Sequence, residues 1–375
     1  MGDERKQPLA DPAVPIGREA HGGRRLAGTR MQDTVVVLVI AIIVLLLPLF
    51  IPSHWASLVS KMMIIGLFAT SLNIIWGYAN IPSFGHAAFF GAGAYSAAIL
   101  VLKLGITSFW LGLLLAVVAS AVIAAILGVP AFRVFGVGAG AVNPIYFLLA
   151  TIAFGELLSR LAITIRPVTG GSTGLSGVPQ AHIGFGSVLG ARQYYYLVLV
   201  LGVICLFLMY RILSSHFGYA LRGIHDNEKR MQALGYNTWL YKYTSWIIAG
   251  VFGGIAGVLF TYNYYTVTPD KFAMSTSDIS FLLVILGGTT VFFGPLVGAI
   301  FYVAIEEVVS SYLPARWPLI FGAIIVIAIM ATPWSKRRYQ GLGPFVLLVW
   351  RWLGKTAPRI WGRKAAPTQS SERGV

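Results

Sequence analysis

The sequence predicts an all-α, polytopic helical membrane protein of about ten transmembrane helices. Three observations carry this. Of 375 residues, 57% are hydrophobic and only 11% charged, whereas soluble domains run near a quarter charged. The apolar residues fall into runs of about 20, the length that crosses a bilayer as a helix. Those runs are continuous rather than alternating, which excludes the strands of a barrel. The 42 glycines suit close helix–helix approach.

Taken in order, residues 1–33 are polar and mix six Lys/Arg with five Asp/Glu. They read as a disordered tail. Residues 34–50 are very hydrophobic, with no small-residue cleavage site after them, and read as an anchor span rather than a removed signal. Further spans are expected at 57–77, 87–102, 106–129, 143–165, 193–213, 243–267, 277–293, 295–312 and 316–332. A broken-helix segment lies near 78–86, where Pro82, Gly85 and His86 interrupt the apolar runs. A Gly-rich segment, 169–179, opens a long loop reaching to about 192. Residues 334–375 form a basic tail, with a Trp-bearing apolar patch at 344–353 that reads as interfacial. The membrane-spanning core is thus 34–333, with a charged loop at 214–242.

Charge orients the spans. With the start in the cytoplasm, both tails, the loop near Arg133 and the charged loop share one face. They hold all but seven of the 28 Lys and Arg. Lys103, Arg166, Arg192, Lys271 and Arg316 fall on the other face, and Lys61 and Arg160 within spans. This bias fits the positive-inside rule, with both termini cytoplasmic. The net charge of +15 sits beside spans, so nucleic acid is not expected as a partner; membrane lipid is.

The charged loop includes a helix-compatible stretch, 216–242. A polar helix between spans must meet water, headgroups or another protein. It reads either as a docking contact or as a solvated linker. No enzyme motif appears, and no metal site. The single cysteine, Cys205, rules out an internal disulfide. Gly354-Lys355-Thr356 looks like the end of a phosphate-binding loop, but position 349, where the first Gly must stand, is Val349.

Four carboxylates lie in or near spans, where charge is costly. Glu156 stands four residues before Arg160, and a helical ion pair is the simplest expectation. Asp278 stands at a span start, where a carboxylate caps a helix N-terminus. Glu306 and Glu307 lie near a span end that water can reach. Ion coupling through Glu156 or Asp278 is the competing reading. His86 is either a turn histidine held by packing or a group lining a path beside exposed backbone.

Several segments together resemble the LivM-type permeases of branched-chain amino acid ABC importers, within the LivH/LivM permease family. They are Leu72-Asn73, Gly77-Tyr78 and Ser83-Phe84-Gly85-His86-Ala87-Ala88 through Tyr95; Tyr146-Phe147 through Glu156; Thr169-Gly170-Gly171-Ser172-Thr173-Gly174 through Pro179; Gly218 through Gly235; and Phe281 through Gly298. They run in order from about 58 to 333. The chain departs from the family at Asn80-Ile81-Pro82 and at Lys229-Arg230-Met231.

The resemblance implies a permease subunit in the bacterial inner membrane, with no nucleotide site of its own. ATP and Mg would be bound by two partner ATPase subunits. A paralogous permease would complete the pathway, and a periplasmic or extracellular binding protein would deliver substrate. It further implies a coupling loop carrying Gly218, Arg222, Asp226, Glu228, Ala233, Leu234 and Gly235. The substrate path would involve Asn73, Ser83, His86, Gly170, Gly171 and Gly174. Urea and short-amide importers resemble the same pattern.

Overall fold

The computed structural model describes residues 52–133, 144–183, 189–289 and 291–313, with short pieces at 45–46, 48–49, 316, 318–323 and 326. The protein is all-α. Its helices are α1 (Ser53–Ala79), α2 (Ala87–Leu102), α3 (Phe109–Arg133), α4 (Pro144–Thr164), α5 (Ala191–Leu213), α6 (His216–Ala233), α7 (Thr238–Tyr264), α8 (Met274–Gly287) and α9 (Gly294–Tyr312). Two short strands, β1 (Leu175–Ser176) and β2 (Thr266–Val267), pair antiparallel.

Six of these helices are long and apolar enough to cross a membrane: α1, α3, α4, α5, α7 and α9. The apolar helices α2 and α8 have only 16 and 14 residues. Six full spans and two half-length helices therefore stand where eight spans were expected between 57 and 312. Spans 34–50 and 316–332 lie largely outside the described residues. So do the tails 1–33 and 334–375 with the patch 344–353.

Two helices organise the bundle. α1 and α7 are each 27 residues long. In their most apolar windows they are 78% and 67% buried, against 28–33% for the other four spans. They run antiparallel: Ser57 near the start of α1 donates to Asn263 near the end of α7 at 3.3 Å. α7 packs on α1, α2 and α3, while α1 also packs on α5, α8 and α9. Each ends the same way. Asn80 (φ 56°) and Tyr265 (φ 57°), the two non-glycine residues with positive φ among those described, stop α1 and α7 in the left-handed conformation. The chain then turns back and restarts as a short helix.

The seams are built on residue size rather than polarity. Along α3 the buried face reads Gly112, Ala116, Ser120, Ala124 and Gly128, every fourth residue small. The opposite face carries Leu114, Val118, Val122 and Ile126, all exposed. In water such a helix has no wet side. In lipid, small residues inside and large ones outside are what close packing requires. At the α2–α7 crossing a Cβ on Gly93 would run into the Gly254 carbonyl, and one on Gly257 into the Phe90 carbonyl. Near the other end of α3, Trp246 of α7 meets Phe89, Phe132 and Phe147 at ring distances of 5.0, 5.9 and 5.4 Å. Its indole donates to the Ala124 carbonyl at 3.0 Å, so the buried N–H is satisfied.

Two boundaries differ from expectation for local reasons. α7 begins at Thr238 rather than near 243, because Asn237 caps it: its side chain accepts from Leu240 N at 3.2 Å. The break between α8 and α9 covers 288–293 rather than one Gly–Pro step. Gly288 (φ 91°) ends α8, and Pro295 stands in the first turn of α9.

Candidate functional site

α2 and α8 begin side by side. The first helical N–H of α2, at Ala87, donates to Ser277 Oγ in the first turn of α8 at 2.8 Å. The first N–H of α8, at Met274, donates to Glu156 Oε1 of α4 at 3.2 Å. From there the helices diverge. α2 runs about 24 Å toward the end of the bundle that holds β1 and β2, and α8 about 21 Å toward the end that holds α6. Together they span about one bilayer with its headgroups, so both start near half depth. Half-length helices meeting at half depth are a recurring transporter device.

Two expectations are corrected here. Glu156 does not pair with Arg160: no such ion pair occurs among the described residues, and the carboxylate reaches α8 instead. Asp278 is not a cap, because α8 starts at Met274, four residues earlier. It lies half-buried on the helix, its Oδ1 shielded from water without a hydrogen-bond partner. Glu306 and Glu307 are paired, with Lys61 at 2.8 Å and His54 at 3.0 Å, and tie the start of α1 to the end of α9.

Around this junction the residues expected on a substrate path are enclosed. His86 is fully buried at the start of α2. Its Nε2 lies 2.8 Å from Ser71 Oγ, and its ring stacks on Phe68 at 5.2 Å. Ser83 is buried, and its Oγ accepts from Gly85 N at 3.2 Å. Asn73 is buried with neither amide atom hydrogen-bonded, and a Cβ on Gly77 would fall against its Oδ1 and the Thr289 carbonyl.

The half-buried face beside them is aromatic. Phe281 of α8 stacks on Trp76 of α1 at 4.0 Å and on Phe84 of the returning segment at 4.2 Å. The motif residues of 83–95 marked the segment. Nothing in the local sequence pointed to Ser71, Trp76 or Ser277, whose partners are distant in the chain.

Gly170, Gly171 and Gly174 lie elsewhere, at the β1–β2 end, and are not brought together with Asn73, Ser83 and His86. All three have positive φ. Gly174 packs so closely that a Cβ would meet the Val267 carbonyl. The loop is stitched to the end of α7 through Gly177 and Val178, both donating to the Tyr265 carbonyl at 3.1 Å, and to α3 through Phe109 N and the His182 carbonyl at 3.0 Å.

At the opposite end α6 lies across the bundle. It is two helices in one: Asn227 has extended dihedrals (φ −160°, ψ 98°), and its side chain accepts from Arg230 N at 3.0 Å, capping a second helix. The Arg222 guanidinium sits 5.1 Å over the Tyr78 ring at the end of α1. Gly218 abuts the Leu213 carbonyl that ends α5. Glu228 Oε2 lies 2.7 Å from Lys242 Nζ of α7, a lysine only 5% exposed. Of the remaining residues expected in this loop, Asp226, Ala233, Leu234 and Gly235 are exposed. So are Lys229, Arg230 and Tyr236.

Six membrane-crossing helices, two half-length helices meeting between them and a polar helix clamped across one end define a multi-pass membrane transport protein. The chain belongs to the family described as branched-chain amino acid transport system, permease component, which matches residues 55–330. It is 25% identical over 340 residues to the high-affinity branched-chain amino acid transport system permease protein LivM of Salmonella typhimurium, covering 84% of this chain and 76% of that protein. The LivM of Escherichia coli is 25% identical over 364 residues, 90% of this chain and 82% of that protein. A probable branched-chain amino acid transport permease protein LivH of Methanocaldococcus jannaschii is 24% identical over 284 residues, 70% of this chain and 84% of that protein. No solved structure matches the chain.

Proposed function

We propose that this permease is moved by separate ATPase subunits gripping α6, and that it imports branched-chain or related amino acids. The observation that carries the proposal is how α6 is fastened. Arg222 over Tyr78 ties it to α1, and Glu228 with Lys242 ties it to α7. A partner that shifts α6 therefore pulls on both central helices, a rigid-body route to alternating access. The segment after the Asn227 kink, with Lys229, Arg230, Leu234 and Tyr236 exposed, is the part free to enter a partner's groove.

The relatives named above suggest the cargo. Likeness to both a LivM and a LivH suggests a paralogous permease as the second half of the pathway. A binding protein would deliver substrate at the β1–β2 end, and ATP with Mg would stay on the ATPase subunits. The excess of Lys and Arg at the α6 end and in the tails supports a cytoplasmic side for α6 and both termini. A urea or short-amide importer would be built the same way. An ion-coupled transporter would have to rest on Asp278, because Glu156 is engaged at α8.

Purification from native membranes in mild detergent, with identification of bound proteins, tests the reading. Two ATPase-type subunits and a second permease are expected. Recovery of this chain alone, with uptake that follows an ion gradient and ignores ATP, would overturn it.

A further inference from the structure

We infer that Asp278, Phe281, Trp76 and Phe84 form a subsite for the α-ammonium group and apolar side chain of the amino acid in transit. The inference rests on the importer reading above.

Four features point there. The residues come from three elements that converge near half depth: α1, the returning segment before α2, and α8. Phe281 stacks between Trp76 (11° between planes) and Phe84 (27°), which makes one continuous apolar wall. Asp278 precedes Phe281 by three residues on one helix, so both project from the same face. All four of these residues are half-buried, whereas Ser277, Ser280 and Val284 on α8 are fully enclosed. The wall thus opens outward from the chain instead of being filled by it.

Among the described residues the carboxylate has no counter-charge. Its Oδ1 is out of contact with water and has no hydrogen bond. Among the described residues none of the ion pairs includes it, and Lys61, Lys242 and Lys271 are each taken by another carboxylate. A lone carboxylate at membrane depth is costly unless a cation meets it. Among the described residues no three metal-ligating side chains gather anywhere, so a metal ion would find too few ligands here. An ammonium group fits better. It donates charged hydrogen bonds to a single carboxylate. The rest of a branched-chain amino acid is hydrocarbon, which the Trp76–Phe281–Phe84 wall accepts. A cation that arrives with the cargo and leaves with it explains why none of the described residues supplies one.

The test is leucine import by the reconstituted complex, with its binding protein, measured together with ATP hydrolysis. Wild type is expected to import leucine; if it imports none while hydrolysing ATP, the importer reading for this cargo fails, whatever Asp278 does. With wild type active, Asp278→Asn is expected to lower leucine moved per ATP about tenfold, the worth of one charged hydrogen bond. Assembly and ATP hydrolysis should be retained, and Asp278→Glu should recover most of the loss. Phe281→Leu, which keeps apolar bulk, is expected to lower the same ratio and serves if Asp278→Asn does not assemble. Wild-type leucine per ATP in both Asp278→Asn and Phe281→Leu would overturn the subsite. Loss of the second permease from Asp278→Asn on co-purification, with Asp278→Glu restoring it, would also overturn it, since Asp278 would then pair with a cation of that subunit.

Discussion

Glu228 and Lys242 form an ion pair at 2.7 Å that joins the kinked helix α6 to the central helix α7. The lysine is 5% exposed and the glutamate side chain 21%, so the pair is largely shielded from bulk water. Breaking one side of a fully buried pair strands a charge and costs about 3–5 kcal/mol, an upper bound here because the glutamate reaches solvent. Glu228→Gln and Lys242→Met are each expected to lower the thermal midpoint in detergent. The double variant should be less destabilised than the two singles predict, because no charge is left alone. If the two effects simply add, the pair does not couple the helices. Transport should fall in all three, since the handle is loosened each time.

The α2–α7 crossing makes a sharper stability prediction. Gly93→Ala places a Cβ against the Gly254 backbone, which cannot give as a flexible side chain can. Gly254→Val adds bulk against Ser120 on α3 as well. Overpacking of this kind costs about 1–3 kcal/mol, more where backbone must move. Both variants should show reduced folded yield after membrane extraction. Gly190→Ala is the control: among the described residues nothing lies within 4 Å of its added Cβ, and its φ of −64° suits alanine. Equal yields for all three would mean that this crossing is not tightly packed.

How much of this was legible follows from where each signal lives. Span positions came through because hydropathy is local: α2 occupies 87–102 as read. That α2 and α8 cover only half the depth did not come through. A helix buried in protein and one bathed in lipid are both apolar, so composition does not separate them. The chain reversals at Asn80 and Tyr265 are backbone choices with weak sequence marks. Glu156 was misread because its partner, Met274 N, lies 118 residues away, whereas Arg160 is one helical turn off. Lys242 looked like a loop charge because its counter-ion is on another helix. For the candidate site, motif residues marked the right segments, but the half-exposed groups beside them, Trp76 and Phe281, are ordinary aromatics until three elements are seen to meet.

Glu156 gives the next prediction. Its carboxylate accepts from Met274 N and so caps α8. Glu156→Gln keeps an oxygen acceptor and should retain most stability and ATP-driven uptake. Glu156→Ala removes the cap and should cost about 1 kcal/mol. If Glu156 carried a proton as part of transport, glutamine would be as damaging to uptake as alanine. Leucine uptake by the two variants, normalised to folded protein, separates these outcomes.

The exposed turn after α6 decides whether that helix is a handle. Gly235 has φ 86° with nothing among the described residues within 4 Å of an added Cβ, so substitution there is limited by backbone strain and not by space among those residues. Gly235→Asn, which tolerates the left-handed conformation, should cost less than Gly235→Val. Leu234 and Tyr236 flank it with 67% and 43% of their surface exposed. Tyr236 meets the Tyr241 ring at 5.9 Å, but much of the Leu234 and Tyr236 side chains stands exposed beside Lys229 and Arg230, and changing them should not unfold the chain. Leu234→Asp and Tyr236→Asp are therefore expected to keep the wild-type thermal midpoint. Both should lose ATPase subunits on co-purification, and uptake with them. Variants that keep the partner and the uptake would show that docking does not use this turn. Variants that keep the partner but lose uptake would place the turn in force transmission rather than in binding, which the Glu228 and Lys242 variants would then share.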